Sequence, residues 1–135
     1  MIDSEPNPLE ILILVAPHFN VSATTSFVDP FRVANYLSGR AQFAWTYVSE
    51  RGGMVESSSG LRIETNALGE ATQLAPWIAL VSTSWAPEQQ LSKSLGRKLW
   101  AWSKAGAIMG GLDTGAIVLA KAGLLKARAA TVHYE

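Results

Sequence analysis

Seven residues, Gly110-Gly111-Leu112-Asp113-Thr114-Gly115-Ala116, constrain the fold of this chain more than any other stretch. Upstream, Ala107-Ile108-Met109 reads as a short buried strand. Downstream, Ile117, Val118, Leu119, Ala120 and Leu124 carry the apolar character of a packed helix. An acid set among glycines at a strand-to-helix turn is presented at the carboxyl end of a sheet, beside the unpaired N–H groups of a helix start. At this level two roles stay open for Asp113. It is either a helix N-cap, with Gly115 easing the turn, or the centre of a site.

The rest of the chain supplies what such a turn needs. Its 135 residues are 48% apolar and 16% charged, which suits one domain with a sizeable core rather than a disordered segment. Eleven basic and eleven acidic side chains cancel, so the electrostatic footprint of a nucleic-acid-binding module is missing. The absence of cysteine excludes a disulfide framework, a thiolate zinc site and a cysteine nucleophile together. No metal and no cofactor are expected. The longest apolar run, Leu9 to Ala16, is broken by Glu10 and is too short to span a bilayer, and the acids Asp3 and Glu5 before it do not suit a signal-peptide start. A cytoplasmic chain with no membrane partner is the expectation.

Taken in order, Leu9–Ala16 is the first core strand, and Pro17-His18-Phe19-Asn20 is a loop at its carboxyl end, the edge where open α/β sheets bind ligands. Ser22 to Leu37 has a helical pattern with Phe27, Phe31 and Ala34 facing inward and Gly39 just past the end. Asp29-Pro30 interrupts it. Either Asp29 caps a second helical segment, with Pro30 in its first turn, or it projects into the same pocket as Asp113. Phe43–Ser49 is a strand, Arg51-Gly52-Gly53 turns it, and Met54–Glu56 and Leu61–Thr65 form a hairpin across Ser57–Gly60, where the serines serve the turn.

Trp77–Val81 is another buried strand, opening into a third ligand-edge loop at Ser82–Pro87. There Thr83 and Ser84 offer hydroxyls, and the Trp85 indole either lines a pocket or packs as core. Pro87 and Glu88 suit the first turn of a helix whose Leu91, Leu95, Leu99 and Trp102 share one face. Lys93, Arg97 and Lys104, with Lys98 at the margin, make a solvated face, and Trp100 lies nearly opposite the apolar stripe as a candidate subunit contact. After the Asp113 turn a helix runs through Lys121 to a stop at Gly123. Arg128–Glu135 then begins a further strand pattern, so the chain reads as a fragment of a longer protein.

Three stretches carry a family resemblance: Asp29-Pro30-Phe31-Arg32-Val33-Ala34-Asn35, Val55-Glu56-Ser57-Ser58-Ser59-Gly60-Leu61, and the run from Gly110 through Ala122-Gly123-Leu124-Leu125 to Ala130-Thr131-Val132-His133-Tyr134-Glu135. Together they resemble the N-terminal effector domain of a subgroup of AraC-family transcription regulators, built like class I glutamine amidotransferases and PfpI-type intracellular proteases. The resemblance implies a flavodoxin-like three-layer α/β sandwich, with a mainly parallel sheet and helices on both faces. Residues 1–135 would be the effector domain, truncated at its C-terminal end. It further implies that DNA is met only through a C-terminal helix-turn-helix domain lacking here; a homodimer is expected as well, with Trp100 as its candidate contact.

By the same resemblance, Asp113 matches the position where the enzymes of the superfamily carry a nucleophilic cysteine, Thr83-Ser84 stand near their Gly-Gly pair, and His133 matches a histidine on the next strand. A non-catalytic sensor follows; the alternative is a hydrolase using Asp113 with His133. Asp29 opens a motif that often begins with an acid in these regulators. Two carboxylates in one site favour a cation, and Trp85 or Phe19 would offer it an aromatic face. The implied effector is therefore a small nitrogenous or cationic metabolite of the betaine, carnitine or arginine class. The expected ligand-binding set is Asp113, Thr114, Asp29, Thr83, Ser84, Trp85, Phe19 and His133.

Overall fold

The computed structural model describes residues 6–70 and 75–133. The aliphatic run forms β1 (Leu9–Val15), and its neighbours follow as α1 (Val21–Ser38), β2 (Phe43–Ser49), β3 (Gly53–Glu56), β4 (Arg62–Ala67), β5 (Ile78–Thr83), α2 (Lys93–Lys104), β6 (Ile108–Asp113) and α3 (Gly115–Lys121). Single 3-10 turns lie at Leu68–Glu70 and Pro87–Gln89. The six strands make one sheet in the order β3-β4-β2-β1-β5-β6, with β3 antiparallel to β4 and every other pairing parallel. The order reverses direction on either side of β1, which creates a crevice at the carboxyl ends of β1 and β5.

Strand alternation sends successive side chains to opposite faces and so builds two cores. Leu12 and Leu14 of β1, with Ala79 and Val81 of β5, pack under Leu95, Leu99 and Trp102 of α2 and Val118 and Leu119 of α3. Ile11, Ile13 and Val15, with Ile78 and Leu80, pack under α1 through Val28, Phe27 and Phe31. Helices thus cover both faces, giving the expected flavodoxin-like three-layer sandwich with a mainly parallel sheet.

Helix α1 is continuous through Pro30. Asp29 caps no second segment. Asn20 is the cap instead, accepting from Ala23 N–H at 3.0 Å, and Gly39 closes the far end with a left-handed φ of 68°. Pro30 and Ser26, whose carbonyl loses its helical partner to the proline, are both exposed residues. Helix α2 starts at Lys93 rather than at Pro87, because the Ser92 hydroxyl accepts from Leu95 N–H at 3.0 Å and Pro87–Gln89 turns separately. The expected stripe of Leu95, Leu99 and Trp102 is buried, while Leu91 precedes the helix. Trp100 is 43% exposed, yet its indole N–H donates to Ala122 O at 2.7 Å and ties α2 to the end of α3.

Strand β6 is longer and less buried than the sequence suggests. It runs to Asp113, and Ile108 is 55% exposed because among the described residues β6 pairs on one side only, with β5. The strand expected at the end of the chain is absent from residues 128–133, which lie without regular structure, and the last two residues of that pattern fall outside the described range.

Candidate functional site

Three loops meet at the carboxyl edge of the adjacent strands β1, β5 and β6. The close approach of α3 to the sheet is what places the third. A Cβ at Gly115 would lie 2.0 Å from Val81 O, and one at Gly111 would lie 2.4 Å from Ala116 N, so only glycine fits at either position. Between them the backbone at Asp113 takes a left-handed φ of 59°. That conformation is uncommon for a residue with a side chain, and it turns the carboxyl group out of the strand path. The helix cap position belongs to Thr114, so Asp113 does not cap α3.

Asp113 Oδ2 accepts from Asn20 Nδ2 at 2.8 Å. The direction of that bond is set by the cap at α1: Asn20 Oδ1 already accepts from Ala23 N–H, which leaves the amide nitrogen to face the carboxylate. Asp113 Oδ1 is closed off from solvent and has no hydrogen-bond partner among the described residues. Such an atom costs about 1–3 kcal/mol when left unsatisfied. The backbone of His133 crosses the same turn, its N–H donating to Asp113 O at 3.3 Å.

Hydroxyls pin the neighbouring strand end. Thr83 and Thr114 share a hydrogen bond of 2.9 Å, Thr114 Oγ1 donates to Ser84 O at 2.8 Å, and Thr114 N–H donates to Thr83 O at 3.3 Å. Beneath them, Ser82 and Thr24 bond at 2.8 Å in the buried layer, and Thr24 Oγ1 donates to Asn20 O. Above, the ring of His18 stacks on Trp85 at 5.4 Å with an interplanar angle of 28°. His18 and Ala86 both hold left-handed backbones, with φ of 62° and 48°, and Trp85 is 60% exposed.

Of the expected ligand-binding set, Asp113, Thr114, Thr83, Ser84 and the His133 backbone are brought together, with Trp85 on the adjoining loop. Two residues are not. Asp29 lies exposed in the middle of α1 and pairs with Arg32 at 2.7 Å, raising the guanidinium pKa by hydrogen bonding and charge; nine residues of helix, about 13 Å, separate it from Asn20. The expectation that it shares a pocket with Asp113 is therefore corrected. Phe19 is fully buried among Val15, Val28 and Val55, so it offers no face to a ligand; its loop pairs with Ser57, and the ring fills the core beneath.

Asn20 and His18 are the members that sequence reasoning left without a role. Asn20 gave one signal, an Asn directly before a helical pattern, but its second partner lies 93 residues away. Among the described residues no group of three or more His, Cys, Asp or Glu side chains is placed to hold a metal, and no helix is long and apolar enough to cross a membrane.

No protein-family model matches the chain. It is 34% identical over 122 residues to the HTH-type transcriptional regulator CdhR of Pseudomonas aeruginosa, a match covering 90% of this chain and 36% of that protein. The chain thus spans about a third of that relative's length. Among solved structures it is similar to an AraC family transcriptional regulator from Pseudomonas putida, with a TM-score of 0.81 and 26% identity over 93% of this chain and 67% of that one. A ThiJ/PfpI family protein from Pseudomonas syringae shares the fold, with a TM-score of 0.70 at 17% identity over 89% of this chain and 48% of that one. The named relative is a transcriptional regulator, and in this chain Asp113 stands at the sharp strand-to-helix turn. The chain is a domain of the ThiJ/PfpI fold, of the kind carried by AraC-type transcriptional regulators.

Proposed function

We propose that this chain is the ligand-sensing and dimerisation domain of a transcription regulator, binding a small nitrogenous or cationic metabolite of the betaine, carnitine or arginine class at Asp113. The observation that carries the proposal is the carboxylate itself. It sits on a backbone turned into the left-handed region, with one oxygen held by Asn20 and the other shielded and without a partner. A cation placed against that second oxygen offsets the cost of leaving it unsatisfied. The exposed indole of Trp85, stacked on His18, supports the same chemistry by offering a cation an aromatic face.

Because Oδ1 is shielded, a ligand reaches it only if the loops above Asp113 part. Occupancy and loop position are then linked, which is the property a sensor requires. In this reading the chain acts in the cytoplasm as a homodimer, the exposed Ile108 on the β6 edge belongs to apolar surface for subunit contact, and DNA is held by a separate helix-turn-helix domain.

A thermal-shift screen of betaine, carnitine, choline and arginine against wild type and Asp113→Asn tests the reading. A ligand at one hundred times its Kd stabilises by about 2.7 kcal/mol, a melting-temperature rise on the order of 10 °C. The rise should vanish in Asp113→Asn. No rise with any of the four, or one that persists in the variant, removes Asp113 as the sensing group.

A further inference from the structure

An opening lies on the same carboxyl edge, over β1 and β2 rather than over β5 and β6. It is a cleft of about 390 Å³, within the range of roughly 300–1,000 Å³ usual for small-ligand sites. None of Asn20, Trp85, Asp113 and Thr114 lines it. Its floor is apolar, with Leu14 at the end of β1 and Leu95 from α2 both buried and Met54 exposed beside them.

Its rim carries opposite charges in consecutive positions, Glu50 and Arg51, both exposed where the chain leaves β2. The ion pairs formed among the described residues are Arg32–Asp29 and Arg62–Glu56, so neither rim charge is engaged by a neighbour. The turn that presents them is fixed. Ser49 Oγ accepts from Gly52 N–H at 3.0 Å and bonds the Thr65 hydroxyl at 2.6 Å. Gly52 has a φ of 74°, and a Cβ there would come within 2.8 Å of Ala67 N, so the close approach requires glycine.

We propose that this cleft binds a small zwitterion of the α-amino-acid class with an apolar side chain, its carboxylate on Arg51, its ammonium on Glu50 and its side chain over Leu14, Leu95 and Met54. Charge complementarity selects that class. A simple anion meets repulsion from Glu50, a simple cation meets it from Arg51, and an uncharged apolar molecule leaves both charges unmatched. The site goes beyond the sensing role given to Asp113 and stands independently of it.

The test is an amide chemical-shift titration of the isotopically labelled chain with L-leucine, L-methionine and L-phenylalanine, with acetate and n-butylamine as single-charge probes. At least one of the amino acids should give saturable shifts at Ser49–Gly52 and Gln90, binding about tenfold or more tighter than either single-charge probe. Arg51→Ala should weaken it by about tenfold or more, while Arg32→Ala, the same charge removed from α1, should change it less than about twofold. Both arginines are exposed, and an unchanged spectrum away from each substitution verifies the fold. No shift with any of the three amino acids, shifts that survive Arg51→Ala, equal binding of acetate, or shifts centred on Asn20 and Asp113 would each overturn the proposal.

Discussion

Strands β5 and β6 lie side by side and deliver consecutive parts of the same site, yet they are built differently. All six residues of β5 are buried, because β1 and β6 flank it and helices cover both of its faces. In β6 no residue is fully buried, and Ile108 is largely exposed. Its two consecutive glycines, which face opposite sides of the sheet, both sit against close neighbours. A Cβ at Gly110 would lie 2.6 Å from the Leu80 side chain, and the next glycine abuts the α3 backbone. Burial of side chains organises one strand; closeness of backbones organises the other. The Asp113 turn grows from the second kind, since a left-handed Asp113 needs a helix packed tightly enough to hold it there.

The largest effect should come from Gly115→Val, which drives a side chain into the Val81 carbonyl; a loss of about 4 kcal/mol or failure to fold is expected by denaturant titration. Next, Leu80→Ala in β5 should cost about 3 kcal/mol, and Ile108→Ala in β6 about 1 kcal/mol or less. Equal losses would break the comparison and mean that the β6 edge is covered in solution. Asp113→Gly should raise stability by about 1 kcal/mol, because relief of the left-handed backbone and removal of an unsatisfied oxygen outweigh the lost Asn20 bond. A stabilised variant that no longer responds to any amine would mark Asp113 as kept for function rather than for folding. The smallest effect belongs to Asp29→Ala, below about 0.5 kcal/mol, since its ion pair with Arg32 lies in solvent. A markedly larger loss would show that the middle of α1 is not the open surface described above.

Most of the sheet was legible because buried parallel strands are continuous runs of aliphatic and β-branched residues, as in Leu9–Val15 and Ile78–Thr83. The Asp113 turn was legible because glycines bracket an acid where an apolar strand becomes a helix. Local signals failed where two of them competed. Pro87-Glu88 and Ser92 both suit a helix start, and only the Ser92 hydroxyl finds the N–H of Leu95. Asp29-Pro30 looked like a break, but packing of Phe27, Val28 and Phe31 against the sheet carries α1 through the proline. Phe19 looked like a ligand contact from its place in a ligand-edge loop, and that loop's pairing with Ser57 turns the ring inward instead.

Element type, element order and the position of the acid are consequences of neighbours within a few residues, where hydrophobic period and glycine freedom act directly. Which atoms share the site is a consequence of distant chain segments meeting at one sheet edge. Asn20 holds Asp113 across 93 residues of sequence, and His18 stacks on Trp85 across a strand boundary. No periodicity encodes such pairs, because strand order in the sheet decides which loops become neighbours. Placing β1, β5 and β6 side by side is a tertiary event, and the carboxylate with one oxygen satisfied and one waiting exists only after it.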